Sequence, residues 1–77
     1  MPRKQVGGEG TVRVVLNGDE VSLAVGTTVA DLVSSVCAET RGVAVALDRT
    51  VLPRSDWGRT VVAEGALIEV VAAAAGG

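Results

Sequence analysis

Histidine, phenylalanine and tyrosine are absent from this 77-residue sequence, and cysteine and tryptophan occur once each. With no histidine and no second cysteine, Cys37 has no partner to activate it as a nucleophile, and no metal-ligand cluster stands out. A lone cysteine forbids an intrachain disulfide, which excludes a disulfide-stapled secreted scaffold. No apolar run approaches the length of a membrane span, and the first ten residues lack the apolar region of a signal peptide. A cytoplasmic protein with no membrane partner is the expectation. Nucleic acid is an equally poor partner, because the formal net charge is −2 and the basic residues are scattered, with only Arg3 and Lys4 near the start. Gly7-Gly8-Glu9-Gly10 lacks the lysine and hydroxyl residue of a phosphate loop. Asp19, Glu20, Asp48, Asp56 and Glu64 read as turn or loop acids, without the cleft that paired catalytic carboxylates require.

What is present is a dense aliphatic pattern. The apolar fraction is 48%, enough for a folded globule built on Val, Leu, Ile and Ala, with Trp57 anchoring a loop on a small core. At this length one small domain is expected, with little room for an enclosed substrate cavity. Residues 1–10 read as a flexible extension, 11–71 as the domain, and 72–77 as a mobile tail ending in Gly76-Gly77. Glycine has no side chain to obstruct a narrow channel and takes backbone angles that other residues resist, so the tail suits a protein whose reacting group is its own terminal carboxylate.

Within the domain, Val12, Val14 and Leu16 alternate as the inward face of a strand. Asn17-Gly18 is a hairpin turn signal, and Val21, Leu23 and Val25 are the inward set of a second strand. Thr28 and Asp31 form a near match to a capping box. Val29, Leu32, Val33 and Val36 then make one helical stripe, predicting a helix over 28–40 closed by Arg41-Gly42, with Cys37 at its flank. Val43, Val45 and Leu47 share one face of a third strand, with Ala44 and Ala46 on the other. Asp48-Arg49 turns into a short fourth strand over 50–52, and Ser55 is the expected cap of one helical turn ending at Trp57. After a turn at Gly65, Ile68 and Val70 point inward from a last strand over 66–71. Leu67, Glu69 and Val71 point outward. Together with Val15, exposed Leu67 and Val71 are the candidate docking patch.

This order predicts an α+β fold with a single mixed sheet curled around one face of the helix. The segments resemble the thiamine-biosynthesis sulfur carrier family (ThiS family), small ubiquitin-like proteins of the β-grasp fold. The resemblance runs from Val12 to Gly77 and rests on Leu16-Asn17-Gly18, Thr28-Val29-Ala30-Asp31-Leu32, the run from Arg41 to Leu47, the run from Val51 to Trp57, Ile68-Glu69-Val70-Val71, and Gly76-Gly77. It implies a four- to five-stranded sheet on one main helix and a carrier that is not itself an enzyme. It also implies that a ThiF-like adenylating enzyme, using ATP and magnesium, joins the Gly77 carboxylate to AMP. A sulfur-donor protein then supplies sulfur, giving a thiocarboxylate that serves thiazole synthase. No cofactor is expected on the carrier itself. The chain departs from the family in its ten leading residues and its four-alanine spacer, Ala72 to Ala75. Alternatives are the small subunit of molybdopterin synthase, another pathway's β-grasp carrier, or a non-covalent ubiquitin-like interaction module. The proline-containing segment and docking-face aromatics frequent in the molybdopterin subunit are not found here.

Overall fold

The computed structural model describes residues 10–72; the expected extension and tail, including Gly76 and Gly77, lie outside the described residues apart from Gly10 and Ala72 at their borders. Strands β1 (Thr11–Leu16) and β2 (Asp19–Ala24) form the antiparallel hairpin that the alternation predicts. Its turn places Asn17 at φ 51° and Gly18 at φ 89°, the left-handed region in which asparagine and glycine are the best-tolerated residues. Val14 is buried, and Val12, Leu16, Val21 and Leu23 pack around it. Val25 departs from the expectation. β2 stops at Ala24, and Val25-Gly26 form a turn closed by the Thr27 N–H donating to the Ala24 carbonyl at 3.1 Å. Val25 is therefore 58% exposed.

Helix α1 (Val29–Val36) begins as expected. The Asp31 N–H donates to Thr28 Oγ1 and the Thr28 N–H donates to Asp31 Oδ2, each at 3.1 Å, a complete capping box. The helix is shorter than its sequence pattern. It ends at Val36, Cys37 turns extended, and the chain never reaches Arg41-Gly42 in helical form. Val29, Leu32 and Val33 are buried, but Val36 is 51% exposed. Cys37 packs against the core in its place, half-buried as the flank position suggests.

Strands β3 (Val43–Leu47) and β4 (Thr50–Leu52) form a second hairpin, with Asp48 and Arg49 both at positive φ in its turn. The short helix α2 (Arg54–Trp57) has Pro53 at its N-cap and no side-chain cap, so Ser55 lies inside the turn it was expected to open. Proline suits that end, having no N–H to leave unsatisfied. Trp57 is buried, its Nε1–H donates to the Leu52 carbonyl at 3.0 Å, and the Arg54 guanidinium lies 4.9 Å from the ring centre. This is the loop anchor anticipated from its isolation. Arg54 also donates to the Thr40 carbonyl, tying α2 to the segment after α1.

β5 (Leu67–Ala72), displaced by one residue from the expected range, completes a five-stranded mixed sheet in the order β2-β1-β5-β3-β4. β5 runs parallel to β1 and antiparallel to β3. Val14, Val45 and Ile68, from three adjacent strands, form one buried cluster with the apolar face of α1. Val62 belongs to that cluster although no periodicity marks it. Its N–H donates to the Thr27 carbonyl, the Val29 N–H donates to Thr60, and Thr28 bridges Val61, so residues 60–62 brace the start of α1.

Candidate functional site

Alternation sends one set of side chains from each strand away from the helix, and this outer face is where the sequence places its candidate residues. Val15 and Leu67 are register partners on β1 and β5, both half-buried. Val71 lies on the same face of β5, four residues beyond Leu67 or about 13 Å along the strand, and is 61% exposed. Glu69 stands between them. The three candidates thus share a face but occupy two positions, a Val15–Leu67 pair and a separate site around Val71.

The Val71 site is a groove of about 490 Å³ bordered by Val51, Val71, Glu69 and Asn17. Ala44 pairs with Val71 and Ala46 with both Glu69 and Val51. Two small methyl side chains between larger neighbours leave the sheet surface low, which gives the groove its floor. Val51, 72% exposed, is the most exposed of the large apolar residues described and was not singled out by sequence. A three-residue strand is too short for alternation to mark its faces.

β5 is held at both ends by turn side chains. Asp48 Oδ1 accepts from the Leu67 N–H at 3.0 Å while the Asp48 N–H donates to the Leu67 carbonyl at 2.7 Å. Asn17 makes a corresponding pair with Val70 at the opposite end. Three of the other acids have structural partners as well: Glu64 accepts from the Arg13 N–H at 2.9 Å, and Glu20 pairs with Arg13 at 3.7 Å and Asp56 with Arg59 at 3.6 Å on the surface. Among the described residues, no group of three His, Cys, Asp or Glu is placed to hold a metal ion, and no helix is long and apolar enough to cross a membrane.

The ThiS family model matches residues 9–77, spanning the sheet, the helix and the terminal Gly76-Gly77. The chain belongs to the ThiS family. Among solved structures it is similar to the thiamine biosynthesis protein ThiS of Geobacter metallireducens, with 28% sequence identity and a TM-score of 0.73 over 86% of this chain and 100% of that one. No curated protein matches the sequence. Membership in the ThiS family makes the fold a ubiquitin-like β-grasp and the general role that of a sulfur carrier; proteins of the family are non-catalytic carriers with ThiF-like and thiazole synthase partners as general associates.

Proposed function

We propose that Gly77 is the sulfur-carrying residue, reached through Gly76, and that the outer sheet face docks the enzymes acting on it. A carboxylate resists acyl transfer because it is resonance-stabilised and its leaving group would be oxide. In the proposed sequence the Gly77 carboxylate attacks the α-phosphorus of ATP in a ThiF-like enzyme, releasing pyrophosphate. A persulfide on a donor protein then attacks the acyl-adenylate carbonyl and AMP departs; a thiol cleaves the resulting acyl disulfide, leaving the thiocarboxylate and a disulfide on the donor side. That terminal sulfur is the nucleophile delivered to thiazole synthase. ATP and magnesium are the partner's, and the carrier contributes the reacting atom and a docking surface.

The observation that carries this reading is the family match running unbroken from the β-grasp domain through Gly76-Gly77. The exposed Val71, with the Val15–Leu67 pair farther along the same face, supports docking on the strand that leads toward that tail. Binding energy gathered on this face, remote from the reaction, positions the tail in the partner's active site.

The test is intact mass after incubation with ATP, a sulfur source and a cognate activating enzyme. The expected gain equals the difference between a sulfur and an oxygen atom, located on the C-terminal peptide. Deleting Gly77, or adding an alanine after it, is expected to abolish the gain while leaving docking in place. Unchanged sulfur transfer by either altered tail refutes the mechanism.

A further inference from the structure

β5 loses its backbone partner on one side over its last described residues. The parallel ladder with β1 reaches Leu16 opposite Ile68, and the Asn17 N–H donates to the Ile68 carbonyl at 2.9 Å. Continuing that ladder would offer Val70 a backbone carbonyl and then a backbone N–H. The chain instead turns back through Asn17 at φ 51° and Gly18 at φ 89°. The Asn17 carboxamide supplies both missing groups. Its Oδ1 accepts from the Val70 N–H at 2.9 Å, and its Nδ2 donates to the Val70 carbonyl at 3.3 Å. One side chain thus substitutes for the next stretch of strand, reaching a residue 53 positions away.

We infer that Asn17 is a positioning residue for sulfur transfer, a clasp that fixes the point from which the tail departs the sheet. The inference rests on the proposed role of Gly77. Beyond Val70, the backbone pairs holding β5 are those with β3, Ala44 with Val71 and Val43 with Ala72. Gly77 lies five positions beyond Ala72. If β5 releases from Val70 onward, three more residues join that segment, about 10 Å of extended chain. The reacting carboxylate then samples a larger volume relative to a docked domain, and fewer encounters have the geometry for attack on phosphorus. Asn17 touches neither the nucleotide nor the sulfur in this account. It acts through the strand.

The positive φ at position 17 makes Asn17→Gly the informative variant, since glycine keeps the turn and removes only the carboxamide. Asp48→Gly is the matched control, releasing β5 at its other end, away from the tail. Amide hydrogen exchange reads the clasp, and saturation kinetics of thiocarboxylate formation with the activating enzyme read its use. For Asn17→Gly the expected result is Val70 and Val71 amides exchanging at least about tenfold faster. Maximal rate is expected to fall at least about threefold, and by a larger factor than half-saturation rises, because alignment suffers more than docking at a groove that Asn17 also borders. Asp48→Gly is expected to loosen Leu67 and leave the maximal rate within about twofold. Unchanged Val70 exchange, an unchanged maximal rate, or an equal loss with Asp48→Gly overturns the inference. A wild-type chain that forms no thiocarboxylate refutes the carrier mechanism itself and this inference with it, whereas wild-type transfer that Asn17→Gly preserves refutes the positioning role alone.

Discussion

Leu32 and Val36 lie one turn apart on the same helical stripe, yet the structure assigns them very different weights. Leu32 is 2% exposed within the cluster formed by β1, β3, β5 and α1, whereas Val36 is 51% exposed at the end of the helix. Leu32→Ala removes three carbons' worth of buried side chain, about 2.4 kcal/mol at roughly 0.8 kcal/mol per methylene. The cavity left between a short helix and a sheet adds to that, bringing the expected loss to about 3–4 kcal/mol, inside the range seen for buried leucines. A chain of 77 residues has roughly 4–11 kcal/mol of stability in total, so this one truncation removes a large share. Val36→Ala gives up side chain that is already half in water, and alanine favours helix more than valine does. Its expected cost is below about 1 kcal/mol. Urea titration of both variants checks the contrast, with the slope against denaturant required to stay constant so that midpoints report stability. A Leu32→Ala cost below about 0.5 kcal/mol, or a Val36→Ala cost equal to that of Leu32→Ala, refutes the helix placement.

Cys37→Ser is expected to retain sulfur transfer, because the proposed chemistry uses the terminus; complete loss in a folded Cys37→Ser protein refutes that assignment. Val71→Asp puts a charge on the apolar rim beside Glu69 and is expected to weaken binding of the activating enzyme by about tenfold or more at unchanged thermal stability. Titration calorimetry reads it, and wild-type affinity removes Val71 from the docking face. Arg49 holds φ 71° in the β3–β4 turn, so Arg49→Gly is expected to stabilise the fold by about 0.5–1 kcal/mol in chemical denaturation. Destabilisation of that size shows that the arginine side chain matters more than its backbone strain.

Local signals carried most of the architecture. The alternation of Val12, Val14 and Leu16, the Asn17-Gly18 turn, and the Thr28–Asp31 box each encode their own geometry within a few residues, and each is found in place. The failures come where a distant contact decides. Nothing local stops the helical stripe before Thr40, but the packing of Cys37 on the core accompanies an extended backbone there and leaves Val36 outside. Val62 enters the core through single backbone contacts with Thr27 rather than through a periodic element, so pattern reading passes over it. On the candidate face, outward alternation correctly separated Val15, Leu67 and Val71 from the core-facing residues of their strands. Their division into two positions follows from strand register, which sequence periodicity does not encode. The Asn17 carboxamide was legible as a turn signal, but its pairing with Val70 was not, because the partner strand lies at the far end of the described chain. Gly76 and Gly77, the plainest functional signal in the sequence, lie outside the described residues.

β5 is the last strand in sequence and the middle one in the sheet. During synthesis, the hairpin of β1 and β2 and the hairpin of β3 and β4 both emerge before the strand that joins them. Until Leu67 and Ile68 are available, each hairpin has an open edge, and the buried cluster lacks its central isoleucine. Contacts such as Val15 with Leu67 span most of the domain, a topology that favours late and concerted closure over stepwise assembly. A chain interrupted before β5 lacks the strand needed to unite its two hairpins, leaving it open to proteolysis. The sheet therefore closes only once the polypeptide extends through β5, to the threshold of its tail.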